Sequence, residues 1–174
     1  MKIECTLKSI TLDGMSFSCG MPLSEYELIL RCPSRSIELG GRAPYGHRNN
    51  HAHFFDDVGI FLAEHHLTRL IEGVGIVLEP KHAYRKPVSG YRGELIVCGV
   101  PIVHGMRPEE FLERCEVSFR WHLGHSLVFD AESISIDIDT YTERTPSGRE
   151  SAHRVISVVS VGFENAHLLS EAAK

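Results

Sequence analysis

The stretch Leu12–Glu27, LDGMSFSCGMPLSEYE, carries the signals of a β-hairpin followed by a helix. Its Asp13-Gly14 dipeptide separates two short β-prone runs, and glycine tolerates the positive φ that a tight hairpin turn requires. Downstream, Ser24 and Glu27 have the spacing of a capping box, in which each side chain caps a backbone N–H at the start of a helix. The stretch therefore predicts strand, turn, strand and helix.

The same order of signals returns 85 residues later in Val97–Leu112, VCGVPIVHGMRPEEFL. At this shift Gly14 aligns with Gly99 in the second hairpin turn. Without any gap, Ile71 also aligns with Ile156 in the run that closes the second half. Because turns, helix starts and strand ends keep one register, the sequence predicts an internal duplication.

Each half is predicted to form a ββαββ unit, residues 1–85 and residues 86–174, within one compact protein. Residues 33–52 are rich in Gly, Pro, Asn and Arg and are predicted to form a long loop. Residues 53–62 and 70–79 are predicted to form strands. The expected fold class is α+β, a mainly antiparallel sheet with helices packed on one face and the other face free.

Composition limits the classes of partner. The 174 residues carry a formal net charge of −5, which argues against nucleic acid, since phosphate binding depends on clustered Lys and Arg. No apolar run reaches the length of a membrane span, and no signal peptide is recognisable, so we expect a cytoplasmic protein that does not bind membranes. The five cysteines lack zinc-type spacing and are interpreted as reduced thiols.

The run SISIDIDTY, residues 133–141, alternates between apolar and polar residues as a half-buried strand does. Its isoleucines are expected to face the core, which leaves Asp137, Asp139 and Tyr141 on the outer face. Such an acidic face could mimic an anionic substrate and speed association with a basic partner. We therefore predict that these three residues belong to a binding surface.

Further binding candidates are an aromatic residue and an arginine-rich segment. Trp121, the single tryptophan, is either a core residue or an interface anchor, because Trp and Arg dominate binding hot spots. The predicted long loop contributes Arg42, Tyr45 and Arg48.

A metal site is the chemical alternative. His51 and His53 would share one face of a strand, with Asp57 close behind, so a metal-dependent enzyme could use the His/Asp cluster at 47–57. The spacing matches no established metal motif, and solvated loop histidines are the preferred interpretation. No nucleophile elbow, phosphate loop or dinucleotide fingerprint is present. We therefore expect no cofactor and no enzymatic activity.

The runs FFDDVGIFLA and GYRGELIVCGVPI resemble those of a family of small bacterial proteins. The first run has the form aromatic-x-Asp-Asp/Glu-x-Gly-Ile, a β-rich stretch that includes RLIEGVGIVLE follows it, and the second run is a G-x-L-x-x-x-G hairpin. The similarity covers residues 8–105. The matching positions are Phe55, Asp57, Gly59, Ile60, Gly93, Leu95 and Gly99.

Proteins of this kind resemble immunity proteins, the cytosolic antidotes encoded beside secreted antibacterial toxins of type VI and polymorphic toxin systems. The resemblance implies a non-enzymatic protein that binds and neutralises a cognate protein toxin. It implies no catalytic residue, because the matched positions are turn and strand residues. The alternatives are the metal-dependent enzyme and an accessory subunit of a bacterial or phage assembly.

Overall fold

The structure is a computed structural model, and it describes residues 1–18, 20–38, 51–65, 69–80, 87–123, 125–130, 134–144 and 150–163.

The first half contains seven strands and one helix among these residues, and the second half contains six strands and one helix. In the first half these are β1 (Lys2–Cys5), β2 (Ile10–Leu12), β3 (Met15–Phe17), α1 (Leu23–Leu30), β4 (Arg35–Glu38), β5 (His51–Phe55), β6 (Ile60–Glu64) and β7 (Ile71–Val77). In the second half they are β8 (Glu94–Val97), β9 (Val100–Ile102), α2 (Pro108–Arg114), β10 (Arg120–His122), β11 (Ser126–Asp130), β12 (Ser135–Arg144) and β13 (Glu150–Gly162).

The described strands form two sheets. A five-stranded sheet has the order β3-β2-β1-β8-β9, and an eight-stranded sheet has the order β10-β11-β12-β13-β7-β6-β5-β4. Of the described pairings, only that of β1 with β8 is parallel. The chain is thus mainly β with two short helices, an α+β composition in line with the predicted class.

Both hairpins of the five-stranded sheet turn in the same way. Asp13 and Gly14 have φ of 46° and 82°, and Cys98 and Gly99 have φ of 48° and 82°. Positive φ at both central residues is the geometry of a two-residue hairpin turn whose twist suits the flanking strands. Each residue pair between β2 and β3 has an equivalent pair between β8 and β9, and the residue numbers of equivalent positions always differ by 85.

The eight-stranded sheet consists of two four-stranded meanders, β4 to β7 and β10 to β13, joined where β7 pairs with β13. Gly75 pairs with Ser160 at the centre of this junction, and these positions differ by 85. Each meander also has a bulge that leaves an extra residue, Glu72 in β7 and Ser157 in β13, and β12 and β13 have a second register shift between Thr142 and Arg144. The positions of Glu72 and Ser157 again differ by 85, so the two halves have the same strand registers around a central pair.

The predicted ββαββ unit is smaller than the repeating arrangement in the structure. Each helix is followed by four strands rather than two, because β4 begins inside the predicted loop and the sequence pattern predicts no strand where β10 and β11 lie. The predicted strand at 53–62 is in fact two strands, since Gly59 turns the chain at φ 73°. The boundary predicted between residues 85 and 86 lies outside the described residues.

The predicted capping box at the first helix is wrong. The N-cap of α1 is Pro22, so Ser24 lies within the first turn. The Glu27 carboxylate instead accepts hydrogen bonds from the backbone N–H and the hydroxyl of Ser34, beyond the end of the helix. Glu27 thereby holds the chain between α1 and β4.

One hydrophobic core joins both sheets and both helices. It contains Ile3 of the five-stranded sheet, Tyr26 of α1, Phe111 of α2, and Leu62 and Ile138 of the eight-stranded sheet. The helices therefore pack on one face of the eight-stranded sheet, which we call the helix side. Buried residues of its opposite face, such as Phe54 and Val158, lie outside this cluster. Neither described helix is long and apolar enough to cross a membrane.

Candidate functional site

The two outermost strands of the eight-stranded sheet, β4 and β10, carry the most distinctive side chains that the structure describes. We call Ser36, His53, Glu64 and Arg69 the β4 end. We call Trp121, Leu127, Thr140 and Arg154 the β10 end.

The β4 end is a chain of polar contacts across three neighbouring strands. The Ser36 Oγ lies 2.7 Å from His53 Nδ1, and His53 Nε2 lies 2.7 Å from Glu64 Oε2. Ser36 and His53 are directly paired residues of β4 and β5, and Glu64 follows diagonally on β6. Direct and diagonal neighbours on one face of a sheet are within reach of each other's side chains.

The residues of this row of polar contacts differ sharply in burial. The side chains of His53 and Glu64 are 3% and 5% exposed, whereas Ser36 is exposed. Arg69 Nε lies 2.6 Å from Glu64 Oε1. That oxygen has no aligned hydrogen bond among the described residues. We therefore treat the short contact as an ion pair in which charge, rather than N–H direction, supplies the attraction.

On the opposite face of β4, Arg35 fastens this edge strand to the turn between β5 and β6. Its guanidinium donates two hydrogen bonds to the Asp56 carboxylate, from Nε at 2.7 Å and from the terminal nitrogen at 2.9 Å. It also lies 4.9 Å from the centroid of the Phe54 ring. The Arg35 hydrogen bond lowers the pKa of Asp56, and the backbone N–H of Val88 adds to the effect.

The β10 end presents an aromatic side chain instead. Trp121 is 43% exposed, and the Arg154 guanidinium lies 5.8 Å from the centroid of its ring. All three residues of β10 are exposed. The following residue, Leu123, is 78% exposed. An exposed indole and, two residues later, an exposed leucine side chain thus belong to this edge.

The acidic residues predicted to bind a partner lie on the face opposite the helices. Asp137 and Asp139 pair with Val128 and Ser126 of β11, and the Ser126 hydroxyl donates a hydrogen bond of 2.8 Å to Asp139. Both carboxylates and Tyr141 are half-buried rather than fully exposed, and the Oδ1 atom of Asp137 is closed off from solvent.

The other predicted binding residues, Arg42, Tyr45 and Arg48, lie outside the described residues.

The histidines of β5 have a different environment from the one expected. His51 and His53 share one face, as their spacing predicts, but His53 is buried and uses both ring nitrogens at the β4 end. The interpretation of His53 as a solvated loop residue is therefore wrong. Asp57 lies in the turn after β5. Within the described ranges, no three His, Cys, Asp or Glu residues are placed to hold a metal ion.

Sequence reasoning missed Ser36, Glu64 and Arg69. Ser36 falls in the predicted loop, and the other two fall in the run AEHHLTR, residues 63–69, which the sequence predicts to be the polar tip of a hairpin. A weak signal existed, because Ser36 and Glu38 alternate with Arg35 and Ile37 as strand residues do.

Two of the described thiols, Cys5 and Cys98, are poor nucleophiles. Burial raises the pKa of Cys98 to about 11 and raises the pKa of Cys5 further. A buried thiol that stays protonated is inert, because the thiolate is the reactive form.

Comparison with known protein families assigns the chain to one of them. The matched region is residues 2–112, more than half of the chain. The chain belongs to the family described as Domain of unknown function (DUF7738). The match includes the β4 end and stops before β10. No curated protein and no solved structure is significantly similar to the chain.

Proposed function

We propose that this protein is a cytosolic immunity protein, which binds and neutralises a cognate antibacterial toxin without catalysing a reaction. The observation that carries the proposal is the exposed Trp121 on the edge strand β10, with Arg154 beside its ring. Tryptophan and arginine are the residues most enriched among those that dominate binding energy at protein interfaces.

An exposed indole on an edge strand suits a protein partner. Trp is a large, rigid side chain that loses little conformational entropy on binding, and it offers apolar area together with one N–H donor. The neighbouring Leu123 extends the apolar surface. An edge strand also has backbone groups on its free side, which a strand of a partner could pair with.

The acidic residues of β12 support a basic partner. Asp137 and Asp139 lie two strands from Trp121 but on the opposite face of the sheet, because Trp121 pairs with Leu127, which faces the helix side. A partner that contacts both features would therefore wrap around the edge strand β10, and an interface on the order of 1,600 Å² over both partners is large enough for this. Complementary charge would mainly raise the association rate.

The test is co-expression of the protein with the toxin-like domain encoded by the neighbouring gene in a sensitive bacterium. We expect protection of the cells and a complex that co-purifies. Trp121→Ala should weaken toxin affinity about 30-fold, close to the 2 kcal/mol of a hot-spot residue. Leu28→Ala on α1 is the matched control, because Leu28 is also a large exposed apolar residue at 78% exposure.

Three outcomes limit the proposal. If the wild-type protein forms no complex and protects no cells, the immunity function is wrong. If protection survives Trp121→Ala but fails with Asp137→Asn and Asp139→Asn combined, the function stands and the contact surface lies on the outer face of β12. Self-association of the protein without toxin binding would favour the accessory-subunit alternative.

A further inference from the structure

The polar chain at the β4 end has the donor and acceptor order of a nucleophilic serine site. An exposed hydroxyl contacts a buried imidazole, and that imidazole contacts a buried carboxylate. We propose that Ser36 is a reactive serine that accepts an acyl group from activated carboxylic esters, with His53 as its base and Glu64 as a positioning residue. The proposal is independent of toxin binding and of Trp121.

The direction of the hydrogen bonds follows from the carboxylate. An ionised carboxylate can only accept hydrogen bonds. His53 Nε2 is therefore the protonated ring nitrogen, and its N–H donates a hydrogen bond to the Glu64 carboxylate. His53 Nδ1 is then an acceptor, and the Ser36 hydroxyl donates to it. This is the arrangement in which an imidazole can take the proton of an attacking hydroxyl, here with the roles of the two ring nitrogens exchanged relative to the serine protease triad.

Burial holds the base in place. His53 and Glu64 lie in the sheet with almost no solvent contact, so the imidazole cannot rotate away from Ser36 without losing both hydrogen bonds. The Arg69 guanidinium contacts the other carboxylate oxygen and fixes the orientation of Glu64. A base oriented by a third group is the usual requirement for activating a serine hydroxyl.

Substrate access comes from the position of Ser36 on an outermost strand. In the described part of the chain, β4 is paired on one side only. Alternate backbone N–H groups of such a strand point away from the sheet. They could donate hydrogen bonds to the oxyanion that forms on an attacked carbonyl.

The proposed step balances without an added oxidant or cofactor. The Ser36 Oγ forms a bond to the carbonyl carbon while its proton moves to His53 Nδ1. The C–O bond to the leaving group then breaks, and the departing alkoxide takes the proton from Nδ1. The products are a Ser36 ester and a free alcohol.

The second half of the molecule argues against a purely structural role for the polar chain. At the corresponding sheet positions the β10 end has Trp121, Leu127 and Thr140, with the same strand pairing. The backbone therefore forms without a serine, a histidine or a glutamate at these positions. The backbone does not require these buried polar side chains, and the Ser36 hydroxyl is exposed to solvent. A chemical role for the three residues therefore explains them better than a structural role does.

The experiment uses the full-length protein and a fluorophosphonate probe, from which the serine displaces fluoride to leave a stable adduct. Peptide mapping by mass spectrometry should find the adduct on Ser36. Ser16 is the internal control, because it is an exposed serine on the outermost strand β3. Ser36 should react roughly 100-fold faster than Ser16, the size of effect typical of a positioned general base.

Three variants complete the test. Ser36→Ala changes an exposed side chain and should remove the adduct. Wild-type protein should release p-nitrophenolate from p-nitrophenyl acetate faster than a denatured sample does, and Ser36→Ala should remove this excess rate. Ser16→Ala, which removes an exposed hydroxyl from the five-stranded sheet, should leave both unchanged. Glu64→Gln should lower the maximal labelling rate about 10-fold without changing the probe concentration at half-maximal rate, which is the signature of a positioning residue.

The proposal is overturned if folded wild-type protein forms no adduct, or if Ser36 and Ser16 react at equal rates. It is also overturned if Glu64→Gln lowers stability but leaves the labelling rate of the folded protein unchanged.

Discussion

The two ends of the eight-stranded sheet have one backbone arrangement and opposite side-chain chemistry. Ser36 pairs with His53 on β4 and β5, and Trp121 pairs with Leu127 on β10 and β11. Glu64 is the first paired residue of β6 after the bulge in one half, as Thr140 is on β12 in the other. One end buries a chain of polar groups, and the other exposes an indole.

The difference shows that strand register and side-chain function are separable in this fold. Burying a histidine and a carboxylate costs free energy of desolvation, which their mutual hydrogen bonds only partly recover. Leaving Trp121 in solvent forgoes the stabilisation that its burial would provide. Neither end is therefore optimised for folding alone, which is the pattern expected of residues kept for chemistry or binding.

The largest expected effect on stability comes from a single substitution at the β4 end that introduces the residue found at the equivalent position of the β10 end. His53→Leu places the side chain of Leu127 in the first half but leaves Glu64 buried without its N–H donor. We expect a loss of about 3 kcal/mol in the free energy of unfolding, typical of breaking a buried pair on one side. Urea unfolding followed by Trp121 fluorescence measures it.

The double variant His53→Leu with Glu64→Thr completes the resemblance and should recover at least half of that loss. It removes the buried carboxylate along with its donor, and replacing both partners of a buried polar contact is less costly than removing one. A double variant no more stable than His53→Leu would show that the two ends are not equivalent in packing.

A smaller effect is expected where the halves meet. The Phe61 ring lies over Gly75, and a Cβ at position 75 would collide with it. Gly75→Ala should therefore destabilise by about 1–3 kcal/mol, the usual cost of overpacking. In a Phe61→Ala background the same change should be neutral or stabilising, since alanine suits a strand better than glycine does. Thermal unfolding of the wild-type protein, the two single variants and the double variant gives the coupling free energy between positions 61 and 75. Additive changes in stability would contradict the stacking of Phe61 on Gly75.

The smallest effect concerns Arg35 and Asp56, which fasten β4. Because Arg35 lowers the pKa of Asp56 in the folded state, the pair stabilises the protein above the unfolded pKa of Asp56. That contribution should fade as pH falls through the lowered folded pKa. Arg35→Ala should cost less than about 1 kcal/mol at neutral pH, since both side chains are partly exposed.

Urea unfolding of wild-type protein and Arg35→Ala at a series of pH values between 7 and 2 measures this contribution. The stability difference should narrow toward the acid end. A difference that is constant with pH would mean that Arg35 acts through its contact with the Phe54 ring rather than through the charge of Asp56.

Local signals in the sequence were sufficient for the features that depend on a few neighbouring residues. The Asp13-Gly14 and Cys98-Gly99 turns could be predicted because positive φ favours particular residues at particular turn positions. The alternation that turns Ile136 and Ile138 to the core, with Asp137 between them on the opposite face, follows from the two-residue period of a strand.

Only the tertiary structure decided which strands are neighbours and which side chains meet. β4 and β10 are short, polar outermost strands without a strong periodic pattern, and they form because a neighbouring strand supplies their hydrogen bonds. Ser36, His53 and Glu64 are separated by 17 and 11 residues along the chain, and no local rule brings them together. The sequence by itself determined the hairpin turns at Asp13-Gly14 and Cys98-Gly99, the positions of the two helices and the inward face of β12. The row of polar contacts at one end and the exposed Trp121 at the other depend on pairing between strands that are distant in sequence. The hydrogen bonds and packing that stabilise such a pairing involve both segments, so neither segment predicts it alone.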